Sequence, residues 1–272
     1  MDPASLPPWL LPAADPRILV PLALIAGLAV AERLVPARDA PAGLTARQGV
    51  NLLLGATGWV LARLLVPAGL VAVAVWAGAA GFGLLNWLGA GDGWLVVLVA
   101  WLALDFAIWF QHLMFHKLPW LWRLHRVHHT DTVIDLTTGV RFHPGEIAVS
   151  LAWKGAVIAL LGAPPAAVLL FESMLAAMAL ITHANIRLPQ RLERALRWVL
   201  VTPALHLVHH HPDPRWTDST YGNLLSVWDR LAGTLRTSAP DGRIGLLDSA
   251  RNEDSSDILR LLKSPFNDSR SR

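Results

Sequence analysis

Residues 18–31, 48–62, 64–91 and 93–104 carry no charged side chain, and 147–182 carry only Lys154 and Glu172. A membrane-crossing helix needs about 20 mostly apolar residues. The pattern predicts spans near 18–36, 50–77 and 93–115. A tight helical hairpin follows over 147–182, turning at Pro164-Pro165, where a helix cannot continue. The block 48–91 is long enough for one span or two. Composition agrees with lipid burial: 54% of residues are apolar and 16% charged, against about 25% charged in average soluble domains. The expected fold class is all-α, an integral membrane helical bundle with a cytoplasmic, histidine-rich helical cap. The expected organisation is an N-terminal transmembrane anchor region (1–92), a domain over 93–240 that holds every histidine, and a polar tail (241–272) with a short helix over Ile258–Leu262.

Basic residues orient the spans, because cytoplasmic loops collect Lys and Arg. Residues 1–16 and 77–93 hold none, whereas 33–47 hold three, 117–141 hold four, and 187–272 hold 13 of the chain's 23. Three spans with the N-terminus outside satisfy this bias, and a hairpin that returns to its starting side keeps 187–272 in the cytoplasm. Two full spans within 48–91 would violate it, which favours one. The start, Met1-Asp2-Pro3 with no basic residue before Arg17, is unlike a secretory signal, so the first apolar stretch reads as a retained anchor. The absence of Cys excludes disulfides, Cys-ligated zinc, iron–sulfur clusters and thiol nucleophiles. A net charge of +3 is too small to suggest nucleic acid.

All 11 histidines lie between 112 and 211. His112 and His116 stand at i and i+4. His125, His128 and His129 stand at i, i+3 and i+4, and His206, His209 and His210 repeat that spacing. Each set lies on one helix face. Eight imidazoles exceed what one ion takes, so two ions are implied. A lone HxxxH is common by chance; three such boxes in one chain are not. His183 ends the hairpin where a further ligand could approach. His143, before Pro144, reads as a ligand or a hydrogen-bonded loop anchor. His211 points off the face of its box and reads as solvent-facing or supporting. All-imidazole sites suit Zn, Cu, Fe or Ni. Eight histidines and two ions at a membrane suggest redox chemistry more than hydrolysis.

The boxes HLMFH (112–116), HRVHH (125–129) and HLVHH (206–210) resemble those of the fatty acid hydroxylase/sterol desaturase superfamily of membrane di-iron oxygenases. The runs LTTGVRFHPGE, HANIRLP and YGNLLSVWDRLAGTLR add to the resemblance, which covers roughly 95–240. Leu113 stands where this bacterial branch often has Arg. The resemblance implies that His112, His116, His125, His128, His129, His206, His209 and His210 ligate two Fe ions, with His183 as a ninth ligand. It implies O2 as co-substrate and oxidation of a lipid C–H bond to an alcohol or an alkene. The substrate would be a sterol- or hopanoid-like or fatty acyl lipid entering from the bilayer. No haem motif or extra soluble domain is visible, so electrons are expected from a separate ferredoxin or cytochrome b5-like protein with its reductase.

Metal-bound imidazoles usually donate their second N–H to a carboxylate or carbonyl. Asp105, two turns before His112, is expected to hold a histidine of the first box. Glu172 lies three turns before His183. Asp131, Asp135, Glu146, Asp213 and Asn223 are further candidates to orient box histidines, while Asp229-Arg230 reads as a structural ion pair. Small residues such as Gly155 and Gly162 would either open a lipid groove or permit close helix packing. Two other classes stay open: a di-zinc membrane hydrolase and a histidine-rich metal transporter. If the source is bacterial, the membrane is the inner one.

Overall fold

The computed structural model describes residues 16–39, 45–247 and 256–267, and they are helical without any named strand. The chain order begins with α1 (Pro16–Leu34), α2 (Ala46–Leu65), α3 (Gly69–Ala79) and α4 (Leu84–Trp87). It continues with α5 (Trp94–Lys117), α6 (Pro119–His129), a 3-10 turn (Leu136–Val140), α7 (Pro144–Leu161) and α8 (Pro165–His183). Shorter helices close the chain: α9 (Gln190–Leu196), α10 (Pro203–His209), α11 (Pro214–Thr217), α12 (Val227–Ala232) and α13 (Ile258–Asn267).

Four segments are long and apolar enough to cross a membrane: Ala46–Trp87, Trp94–Lys117, Pro144–Leu161 and Pro165–His183. Both arms of the hairpin are thus of spanning length. The expected span at 18–36 coincides with α1, which carries Glu32 and Arg33 near its end and is not among the four. Within Ala46–Trp87, α2 and α3 run the same way along α7. Gly55 faces Val140, Gly58 faces Ile147, Leu70 meets Gly155, and Gly83 sits against Gly162. The block 48–91 is therefore one kinked traverse. Gly155 accommodates Leu70, and Gly162 takes a left-handed φ of 66° as the C-cap of α7. Both serve packing and the turn, so neither opens a groove.

Local sequence sets the helix starts. Thr45 and Gln48 form a reciprocal capping box on α2. Proline occupies the first turn of α6, α7, α8 and α10, where its missing N–H costs nothing. Leu118, held extended before Pro119, ends α5 and sends the chain sideways into α6. Leu70, Leu104, Ile158 and Phe171 from α3, α5, α7 and α8 share one core. Trp59, Leu64, Trp94, Leu160 and Leu169 are more than half exposed, the outward apolar face that lipid accepts.

One end of the bundle is polar. Glu32 at the end of α1 accepts from the amides of Leu136 and Asn185. Arg47 at the start of α2 pairs with Asp131 at 2.7 Å and with Asp135. Asn51 donates to Asp131 and Thr137, each at 3.0 Å, and its carbonyl oxygen accepts from fully buried Arg141 at 2.7 Å. This network ties the first traverse to the 130–141 loop, so α2 supports the site as well as anchoring it. The tail contributes α13, longer than the expected Ile258–Leu262, whose Leu261 packs on Val127 and Leu54.

Candidate metal centre

α5, α6, α10 and the last residue of α8 bring nine histidines to this polar end. They form two groups: His112, His116, His125, His129 and His209; and His128, His183, His206 and His210. In each, one ring nitrogen per residue lies within 4.8 Å of all the others, and all nine residues are buried. The i, i+3, i+4 boxes split between the groups. On α6 the i and i+4 residues (His125, His129) serve the first group and the i+3 residue (His128) the second. On α10 and its C-cap the assignment is reversed: His206 and His210 belong to the second, His209 to the first. The groups abut, with the His129 and His210 rings stacked at 4.5 Å.

The outer hydrogen bonds fix what the inner nitrogens can do. His112 Nδ1 faces Tyr221 O at 2.7 Å, His125 Nδ1 faces Glu146 Oε1 at 2.7 Å, and His128 Nδ1 faces Arg141 O at 3.2 Å. His183 Nδ1 faces Ala179 O at 2.6 Å, and His209 Nδ1 faces Ser219 O at 2.8 Å. All five partners are acceptors, so each Nδ1 carries the proton and each Nε2 presents a lone pair inward. Yet His112 Nε2 lies 3.0 Å from His125 Nε2, and His128 Nε2 lies 3.0 Å from His183 Nε2. Two lone pairs at that distance repel unless a cation sits between them. His209 Nε2 is also buried without a hydrogen-bond partner. The donor set and its tautomers fit a pair of metal ions.

Electrostatics agrees. Burial, reinforced by neighbouring imidazoles, holds His128, His129, His206 and His210 well below the usual histidine pKa. Burial pushes His209 down to about 3. The rings are therefore neutral near pH 7, the form that ligates metal. Aromatic rings wall the groups: Trp122 lies 5.0 Å from His116, and Phe142 stacks on His128 at 4.7 Å.

The fatty acid hydroxylase family model matches residues 97–234, half of the chain and the segment that holds all nine histidines. The chain belongs to the fatty acid hydroxylase family. Ornithine lipid hydroxylase OlsE of Rhizobium tropici is 30% identical over 130 residues, covering 48% of this chain and 38% of that protein. Alkylglycerol monooxygenase of Xenopus tropicalis is 30% identical over 154 residues, covering 55% of this chain and 32% of that protein. A cholesterol 25-hydroxylase-like protein of Danio rerio is 32% identical over 136 residues, 49% of this chain and 53% of its own length. The chain thus spans about a third to a half of these relatives. No solved structure matches it.

Around the family's boxes, the other expected residues separate. Glu146 bonds His125. Asp105 accepts from Trp228 Nε1 at 2.8 Å rather than from a box histidine. Glu172 takes Lys154 at 2.9 Å, an ion pair between α7 and α8. Asn223 is half-buried, and among the described residues no hydrogen bond joins it to a histidine. Asp131 and Asp135 hold Arg47, and Asp213 holds Arg215. His143 caps α7 through Gly145 N and donates to Leu262 O, a loop anchor outside both groups. His211 is neither exposed nor in a group; it donates to Asp241 at 3.0 Å. Asp229 accepts from Trp109, Tyr221 N and Gly222 N, while Arg230 lies over Trp198, so the two form no pair with each other.

Sequence reasoning missed Tyr221, Asp218 and Ser219. Buried Tyr221 lies within 6.0 Å of His112, His116 and His209, and Asp218 Oδ1 lies 3.3 Å from His116 Nδ1. The available signal was that Tyr221 is the chain's only tyrosine, 11 residues after the last box.

Proposed function

We propose that this chain is a membrane-embedded, O2-dependent lipid hydroxylase whose nine clustered histidines hold two irons. The observation that carries the reading is the set of neutral imidazoles whose lone pairs face one another in two buried groups. Imidazole alone does not choose iron over zinc. The relatives do favour iron, because all three are named for oxygenating a lipid. The same names favour hydroxylation over desaturation. Bound there, a pair of irons would supply O2 activation and oxidation of an unactivated C–H bond.

The chain's own part is positional. Glu146 and four backbone carbonyls fix the ring planes of five ligands. Trp122, Phe142 and Tyr221 keep bulk water off the metal-facing nitrogens. The lipid substrate arrives from the bilayer, since the site lies where the spanning helices α5 and α8 end. Electrons come from a separate ferredoxin or cytochrome b5-like carrier with its reductase. Described basic residues near the histidine end, among them Arg38, Arg123, Arg187 and Arg243, would attract an acidic carrier. By the positive-inside bias that end faces the cytoplasm, across the inner membrane if the cell is bacterial. A transporter would string ligands along a path through the spans, whereas both groups sit at one end.

The test is labelling with 18O2 in cells expressing the chain or its His128→Ala variant. The expected result is a lipid carrying one oxygen atom from O2, absent in the variant. A lipid product whose oxygen comes from water, or one that persists with His128→Ala, would contradict the reading.

A further inference from the structure

Behind the second histidine group lies a cleft that the oxygenation chemistry does not use. It consists of two cavities, about 140 and about 190 Å³, that share Arg38, Ala204 and Leu207. Ala204 and Leu207 lie on α10 off the face that carries His206 and His209. The floor of the first cavity is apolar, with Ile134, Ala184, Ile186 and Leu188 among its residues. Its mouth carries Arg38 and Arg187.

These two arginines are held by the backbone. Pro36 and Ile186 form an antiparallel bridge, and Arg187 N donates to Val35 O at 2.8 Å. Buried Asn185 clamps the main chain of Arg38 from both sides: its oxygen accepts from Arg38 N at 3.1 Å, and its Nδ2 donates to Arg38 O at 2.9 Å. Arg187 Nη2 donates to Ala37 O at 3.1 Å, and Arg38 Nη2 donates to Gly242 O. Among the described residues neither guanidinium pairs with a carboxylate. The acids that line the cleft are already engaged, Glu193 by Arg197 and Thr202, and Asp241 by Arg243 and His211. Guanidinium forks match phosphate and carboxylate oxygens. The cleft lies where α1 and α8 end, lined by Arg38 just after α1 and by residues 184–188 just after α8.

We infer that this cleft binds an anionic amphiphile, Arg38 and Arg187 taking its phosphate or carboxylate head and the floor beside Ala184 and Leu207 taking the start of its chain. An apolar cavity with a few convergent polar groups is the usual form of such a site. The inference stands apart from the metal assignment and is tested by binding alone.

The experiment uses the full chain, delipidated in zwitterionic detergent and titrated with phosphatidylglycerol, phosphatidylcholine or inorganic phosphate. The expected result is saturable binding of phosphatidylglycerol, at least about tenfold weaker in the Arg38→Gln/Arg187→Gln variant, a difference of about 1.4 kcal/mol. Ala204→Trp, which adds bulk at a residue lining both cavities without touching charge, should weaken it equally. Arg191→Gln/Arg194→Gln, exposed positions outside the cleft, should leave it unchanged and so exclude a general attraction to basic loops. Equal binding of the two lipids, full competition by millimolar inorganic phosphate, or undiminished binding in Ala204→Trp would overturn the inference. Should the double arginine variant not fold, Ala204→Trp decides alone.

Discussion

Each imidazole of the site needs a second contact that fixes which nitrogen faces inward. Glu146 supplies it for His125 at 2.7 Å. Glu146→Gln keeps an oxygen but loses the charge, and changes to such outer partners cost about 10–100-fold in metal affinity. Competition with a chelator should show that loss with helicity unchanged. The groups also differ in residue membership. His209→Ala should deplete the five-histidine group and spare the four-histidine group, which per-chain metal content would read as a fall toward one ion. Protonation acts through the same residues. His209, pushed down to about 3, and its depressed neighbours bind no proton in the folded metal-free chain at pH values where an unfolded histidine, near 6.5, does. The unfolded state then binds more protons, so stability is full above about pH 6.5 and declines as pH falls toward 3. Thermal unfolding of the apo-protein across that window should show a falling Tm; a flat or rising Tm toward acid would contradict it. The eight box histidines were legible from spacing alone, and His183 from its place at a helix end. Of their partners Glu146 was legible as a candidate; the backbone carbonyls of Tyr221 and Arg141 were not, because they meet His112 and His128 only once the chain has folded.

Elements position these residues by close approach of backbones. Gly139, in the 3-10 turn, packs so tightly on α8 that an added Cβ would lie 2.4 Å from Ala179 O. That same carbonyl accepts from His183. Gly139→Ala should therefore displace His183 from the second group while leaving the first, lowering metal content without loss of expression. At the opposite face α13 holds α6 through Leu261, which is 4% exposed. Leu261→Ala should lower stability by about 2 kcal/mol, readable as a shift in Tm. The apolar runs and the Pro164-Pro165 turn located the helices of the bundle, since lipid burial writes itself as uncharged sequence. The direction of α3 was not legible in the same way: Gly69, with φ of 74°, marks a bend without saying where the chain goes next. Asp105 and Glu172 misled for a related reason. Periodicity places an acid on a helix face but does not say whether Trp228, Lys154 or a histidine stands opposite.

At the scale of the molecule, a bundle of apolar helices carries a buried imidazole cage at one of its ends. By the positive-inside bias of the sequence, reporters fused after residue 272 should respond on the cytoplasmic side; a periplasmic or luminal signal would reverse the orientation. Polar ties from Arg47 and Asn51 to the 130–141 loop make the first traverse part of the cage's support, which a division into anchor and catalytic regions does not convey. The central claim is that the cage holds two irons. The most direct measurement is Mössbauer spectroscopy, with metal content, on the full chain purified from cells grown on iron-57. The account predicts two irons per chain in closely coupled, nitrogen-rich sites. Two zincs and no iron after growth in iron-replete medium would contradict it.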